Sequence, residues 1–257
     1  MVEQSAVNRL VAGSSPASRA NFIMRKLHAC GFYRSGTTFV YNVLLLAKER
    51  FNLNYEIAEK THYPWVERVC IEDKSIYPYR NILNSCASYF RFHLVNEGIT
   101  HIGNGEYIQE YDNNSHNKGW HKSFNVSHIL DFCLVMDKLV NEKIKEGHNV
   151  LKIKYETDIF ADCTIGIKKI LDYLNVNYSQ IDINFMESHL NIKTIKKETD
   201  KIPKKFKITK EQLWSNHIYD GVSYYKEYFP EFDWKKIKPS SLEFYKDYCL
   251  RYGYEFE

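Results

Sequence analysis

Between Leu27 and Phe39 the chain reads LHACGFYRSGTTF, and no other stretch restricts its fold as tightly. Leu27, Ala29 and Cys30 form a short apolar run suited to a buried strand, and Gly31 to Gly36 bound a tight loop. From Thr37 to Lys48, Val40, Val43, Leu44 and Ala47 recur at three- and four-residue spacing, the pattern of an amphipathic helix packed on a sheet. A strand that turns sharply into a helix leaves the first helical N–H groups unpaired at the positive end of the helix dipole, which makes an anion cradle. Arg34 adds a fixed charge there, and Ser35, Thr37 and Thr38 add hydroxyls. The spacing Gly31-x4-Gly36-Thr37-Thr38 has the frame of a nucleotide P-loop, but Thr37 stands where that motif carries its lysine. The loop therefore points to phosphate and argues against ordinary ATP or GTP. A plain strand-to-helix turn is the alternative reading.

The rest of the chain alternates short strands with helices. Phe51 to Ile57 alternates enough to be a strand, Glu59 to Pro64 is a loop that Pro64 keeps from becoming helical, and Val69–Ile71 and Ser75–Tyr77 are β-rich. After Arg80, Ile82, Cys86, Tyr89, Phe90 and His93 form an apolar stripe at helical spacing, with Asn81 or Asn84 able to cap its start. Gly98 to Lys122 lacks a periodic apolar pattern and reads as a surface excursion or a binding loop. Ser127 can cap a helix that ends near Gly147, Val150 to Ile153 make a buried strand, and Ile165 to Leu174 define a further helix. This order predicts a single α/β domain with a central parallel sheet flanked by helices. Residues 192–210 hold eight lysines and form the most basic window, which reads equally as a solvated loop or as an anion contact.

At 257 residues and 44% hydrophobic content the chain can bury a full core. Its net charge of +3 gives no case for a nucleic-acid or membrane partner, and the longest apolar-rich stretch, Ile129 to Val140, is broken by Asp131, Asp137 and Lys138 and is too short to cross a bilayer. The six cysteines include no C-x-x-C pair, which fits reduced thiols in a cytoplasmic protein better than a zinc site or a disulfide framework. Residues 1–23 are polar and aperiodic and are expected to be an extension, either disordered or non-native with Met24 as the biological start, ahead of a domain spanning 24–257.

Four separated pieces resemble the sulfotransferases that use 3′-phosphoadenosine 5′-phosphosulfate (PAPS). FYRSGTTF resembles that family's Y-P-K-S-G-T-T-W loop, which binds the 5′-phosphosulfate, with Arg34 in place of the lysine. EKTHYP, Glu59 to Pro64, is similar to the K-T-H-L-P segment, whose histidine is the catalytic base. RNILNSCAS, Arg80 to Ser88, is similar to R-[DN]-P-x-D-x-x-x-S, whose first and last residues hold the 3′-phosphate. VLKIKYE, Val150 to Glu156, resembles a strand ending in Tyr-Glu, with the tyrosine near the adenine. The resemblance covers about Met24 to Leu174. In the C-terminal third the family's R-K-G-x-x-G-D-W-K is matched only by Tyr219 to Lys226, without its two basic residues, and Lys204 and Lys205 are the candidate substitutes.

The resemblance implies a single-domain sulfotransferase with PAPS as co-substrate and 3′-phosphoadenosine 5′-phosphate (PAP) as product. Its catalytic residues would be His62, Lys60 and Arg34, and its nucleotide-binding residues Arg34, Ser35, Gly36, Thr37, Thr38, Phe39, Arg80, Ser88 and Tyr155. The chemistry agrees. Moving a sulfonyl group to a hydroxyl, or to an amine, needs a base for the acceptor proton, cations for the transferring oxygens and in-line positioning. A histidine near neutrality suits the first, and Lys60 can neutralise charge on the transferring group. Arg34 can stabilise the leaving phosphate but is a poor proton donor. Phe39 either stacks on adenine or belongs to the helix core. With no acidic cluster at metal-ligand spacing, no metal is expected. The acceptor would be a small molecule or a carbohydrate, with Tyr107, Trp120 and His121 as candidate contacts. An ATP-dependent phosphotransferase and a non-catalytic anion or nucleic-acid binder remain as alternatives.

Overall fold

The computed structural model describes residues 25–58, 60–62, 69–97, 100–101, 106–108, 124–199, 201, 225 and 234–256. Seven strands are present among them: β1 (Lys26–Ala29), β2 (Glu56–Ile57), β3 (Lys74–Tyr79), β4 (Thr100–His101), β5 (Glu106–Ile108), β6 (Phe124–Asn125) and β7 (Asn149–Lys154). The order β2-β1-β3-β7 makes one parallel sheet, with Leu27 opposite Ile57 and Lys74, and Ile76 opposite Leu151. Strands β4, β5 and β6 form a small antiparallel sheet.

Parallel strands must be covered on both faces, and the alternation of β1 shows how. Leu27 and Ala29 enter a core with α1 (Thr37–Phe51), α4 (Cys163–Tyr173) and α5 (Gln180–Leu190). Cys30, Phe32 and Tyr77 enter a second core with α2 (Ile82–Glu97), α3 (Val126–Lys145) and a C-terminal helix, Pro239–Tyr252. The expected α/β domain, a parallel sheet between helices with a P-loop-like turn after its first strand, is the one found.

Several local features differ from the sequence reading. Helix α1 runs on to Phe51 and stops where Asn52 takes a left-handed conformation, so the strand expected from Phe51 is reduced to β2. Asparagine tolerates that conformation, and its stop signal is weaker than glycine's. Residues 69–73 are a turn, because the Asp73 carboxylate accepts from the N–H groups of Cys70 (3.0 Å) and Lys26 (2.8 Å). Helix α2 is capped by Asn81, whose Oδ1 accepts from the Asn84 N–H at 3.1 Å. Helix α5 was not anticipated. Ser179 and Asp182 form a reciprocal capping box, with aspartate doing the work usually read from glutamate or glutamine. Within the basic window residues Ile192–Thr199 form α6, which seats Ile195 in the core and exposes Lys193 and Lys197; Lys204 and Lys205 lie outside the described residues. The extension 1–23, Met24, Trp120 and His121 also lie outside them. Tyr107 falls on β5.

Numbered in chain order, the C-terminal helix is α7; a buried carboxylate helps to fasten it, as does the bond from Tyr248 OH to the Arg80 carbonyl at 2.7 Å. Asp137 of α3 accepts from Arg251 Nη1 (2.6 Å), Tyr252 OH (2.7 Å), Asn141 Nδ2 (2.9 Å) and Tyr77 OH (3.3 Å). All six cysteines are free thiols. No helix among the described residues is long and apolar enough to cross a membrane.

Candidate active site

The turn between β1 and α1 is built by two glycines and a strained arginine. A Cβ on Gly31 would lie 2.8 Å from Ser35 Oγ and 3.1 Å from the Pro78 carbonyl, so the loop closes on its own backbone and on β3. Gly36 has φ 110° and a Cβ there would lie 2.7 Å from Ile159 Cδ1. Arg34 holds φ 61°, the left-handed region. The buried Ser35 hydroxyl donates to the Phe32 carbonyl at 2.8 Å and locks the turn. Helix α1 then begins at Thr37 with no side-chain cap and no acidic residue in its first turn. Its leading amides and dipole therefore present a site for an anion.

The segment after β2 docks on this loop. Thr61 bridges Cys30, with its N–H bonded to the Ala29 carbonyl at 3.1 Å and its carbonyl accepting from Gly31 N–H at 3.3 Å. That register fixes both neighbours of Thr61. Lys60 Nζ donates to Thr38 Oγ1 at 3.0 Å, which places an ammonium at the mouth of the helix. His62 Nδ1 lies 2.8 Å from the Gly31 carbonyl. A carbonyl only accepts, so Nδ1 carries the proton and a neutral His62 keeps its lone pair on Nε2. Burial, outweighing the Gly31 hydrogen bond and joined by the charges of Lys60 and Arg34, lowers the His62 pKa to about 4.

The second half of the site comes from the ends of β3 and β7. Arg34 Nε donates to Ser88 Oγ at 3.2 Å, and Arg80 Nη1 donates to the Arg34 carbonyl at 3.3 Å. The Arg80 guanidinium rests 4.4 Å above the Tyr155 ring, and the edge of that ring also bounds Gly36. Tyr155 opens a π-helical turn, Tyr155–Ala161, which brings Ile159 under the loop. Glu156 accepts from Asn81 N–H (2.9 Å) and Tyr254 OH (2.8 Å), tying the start of α2 to the end of β7. Phe39 is buried in the core of α1 with Ile159 and Cys163.

One loop thus gathers Arg34, Ser35, Gly36, Thr37, Thr38, Lys60, His62, Arg80, Ser88 and Tyr155. Two further features were not foreseen. Arg91, one turn beyond Ser88 on α2, stands close enough that its charge, after burial, is the main influence lowering the Arg34 pKa to about 9; Tyr155 raises it and Arg80 lowers it further. The three-residue spacing from Ser88 puts Arg91 on the same helix face, a signal the sequence carries inside an apolar stripe. Tyr33, beside Arg34, packs against His62 (ring centroids 4.5 Å), Phe132 (4.8 Å) and Tyr89 (5.0 Å). Chemically, the arrangement offers helix amides and several cations to a phosphate- or sulfate-like anion, beside a neutral imidazole able to take a proton.

No protein-family model matches the sequence, and no curated protein matches it. Solved structures do. Mouse sulfotransferase SULT7A1 complexed with PAP aligns over 88% of this chain and 84% of its own, with TM-score 0.53 and 15% identity. Retinol dehydratase in complex with androsterone and inactive cofactor PAP aligns over 92% and 84%, with TM-score 0.54 and 14% identity. The chain has the fold of these sulfotransferases.

Proposed function

We propose that the protein is a PAPS-dependent sulfotransferase acting on a hydroxyl, or an amine, of a small-molecule or carbohydrate acceptor. The observation that carries this reading is the meeting, at one uncapped helix N-terminus, of Arg34 and Lys60 with a neutral His62 whose Nδ1–H is held by Gly31. In the reaction the S–O bond to the 5′-phosphate of PAPS breaks, a new S–O bond (S–N for an amine) forms to the acceptor, and the acceptor proton passes to His62 Nε2. Arg34 and Lys60 hold the transferring and bridging oxygens, and the α1 amides hold the 5′-phosphate. Arg80 and Ser88 take the 3′-phosphate, with Tyr155 holding Arg80 in place. Arg91 adds a cation on the same face of α2 as Ser88.

The fold shared with two PAP complexes supports the choice of donor. Thr37 at the position of the P-loop lysine weighs against an ATP-dependent phosphotransferase. Calorimetric titration with PAP, ATP and a single-stranded oligonucleotide separates the readings. Selective binding of PAP, followed by transfer of label from [35S]PAPS to acceptors in a metabolite extract, is the expected result. Absence of PAP binding, or preference for ATP or the oligonucleotide, overturns the proposal.

A further inference from the structure

Tyr33 stands at the position occupied by proline in the Y-P-K-S-G-T-T-W loop that the sequence resembles, so whatever its ring does is a property of this chain. It lies one residue from Arg34 in the turn, and its backbone is pinned from the far side: the Tyr33 carbonyl accepts from the buried Ser85 hydroxyl of α2 at 2.5 Å. The ring is held as well. Phe132 of α3 stacks on it at 4.8 Å with 28° between planes, and Tyr89 of α2 packs at 5.0 Å. Against this braced ring lies the imidazole of His62, 4.5 Å away and tilted by 49°.

An imidazole tethered at Cγ and held by one hydrogen bond at Nδ1 can still tilt within the angular tolerance of that bond. His62 has the Nδ1 bond to Gly31 O as its first anchor, and the Tyr33 ring supplies a second that is not collinear with it. We infer that Tyr33 is the positioning residue of His62: its ring, braced by Phe132 and Tyr89, fixes the imidazole plane so that Nε2 keeps one direction, and it excludes water from one side of the imidazole. Hydrogen bond and ring contact together leave the base one orientation. This inference rests on the proposed role of His62 as base, but its physical content concerns the imidazole alone.

Among the described residues, the groups that face His62 are Lys60 from its own segment, and Arg34, the Gly31 carbonyl and the Tyr33 phenol from the β1–α1 loop, with Tyr89 behind the latter. Removing the Tyr33 ring changes none of the charges among them and admits water. A change in the titration of His62 in such a variant therefore reports lost cover.

The test follows the imidazole of His62 by NMR in the full-length protein between pH 4.5 and 8, its signals assigned by their loss in His62→Gln. In the parent protein the midpoint is expected below that range, near 4, so His62 should be largely neutral across it. Tyr33→Ala should bring its midpoint up toward the ordinary value of about 6.5, lower kcat about 10- to 100-fold, and leave the PAP dissociation constant within about threefold. Tyr33→Phe should restore both midpoint and kcat. If Tyr33→Ala does not fold, Phe132→Ala, which removes the brace behind the ring, should shift the midpoint in the same direction by less. An unmoved midpoint in the variant that folds, or a Tyr33→Phe protein that behaves like Tyr33→Ala, overturns the inference. A failure of PAP to bind the parent protein instead strikes the proposed function and leaves the titration result standing.

Discussion

His62 is the residue at which the fold does most to change a side chain's ordinary chemistry. Its pKa of about 4 lies below the usual 6.5, so the free protein holds it neutral, with Nε2 ready to accept a proton, across the physiological range. The acid limb of kcat/KM for PAPS, which reports the free enzyme, is therefore expected near pH 4. Bound PAPS is anionic and offsets Lys60 and Arg34, two of the causes of the depression, so the acid limb of kcat should lie higher. Paired pH profiles check this, and limbs in the reverse order refute it. The sign for stability follows from the same shift: the unfolded histidine takes a proton near 6.5 and the folded one only near 4, so its contribution is complete above about 6.5 and is lost as the pH falls toward 4. His62→Gln should abolish turnover and leave PAP affinity nearly intact; equal loss of both would mark His62 as structural. Arg80→Ala should cost about 2 kcal/mol of PAP binding, the worth of a charged hydrogen bond, with no comparable loss for the nucleotide lacking a 3′-phosphate.

At the scale of elements, the turn before α1 is set by backbone conformation as much as by its side chains. Gly36 combines φ 110° with contacts that leave no room for a Cβ, to Ile159 Cδ1 at 2.7 Å and Tyr155 Cδ2 at 3.1 Å. Gly36→Ala puts an L side chain at φ 110° and displaces at least the Ile159 δ-methyl, a strain of about 1–3 kcal/mol. The expected outcome is a tenfold or greater loss of PAP affinity by calorimetry. Gly253→Ala is the control: φ is 67° but nothing lies within 4 Å of the added methyl, so stability falls slightly and PAP binding holds. Equal PAP affinity in the two variants would refute the role given to Gly36. The glycines, the apolar run and the helical periodicity made this turn readable from sequence; of the two caps the sequence offered for α2, Asn81 and Asn84, the fold uses Asn81. The π-helical turn Tyr155–Ala161 was not readable, because it depends on Ile159 finding a place under a loop more than a hundred residues earlier.

For the molecule as a whole, Asp137 of α3 joins the sheet to the C-terminal helix α7. Its carboxylate is buried and shared by Tyr77 of β3, Asn141 of α3, and Arg251 and Tyr252 of α7. Asp137→Ala leaves the buried Tyr77 hydroxyl and three partly or fully exposed donors without their shared acceptor and should cost about 3 kcal/mol, a fall in Tm of roughly 6–12 °C for a domain of this size. An unchanged Tm would show that α7 is held without Asp137, by its apolar contacts and by bonds such as that from Tyr248 OH to the Arg80 carbonyl. The sequence by itself determined the parallel α/β arrangement and the tight strand-to-helix turn, because both rest on local spacing: alternation in strands, three- and four-residue periods in helices, glycines at a turn; His62, Arg80 and Ser88 enter as candidates through the resemblance of their short segments to the sulfotransferase motifs. Only the tertiary structure decided which nitrogen of His62 carries the proton, that the Arg34 side chain reaches Ser88, that Arg91 joins the cations and that Tyr33 covers the imidazole. Those facts depend on how β1, α2 and α3 pack against one another, and contacts between residues thirty to a hundred positions apart leave no periodic trace in a single chain.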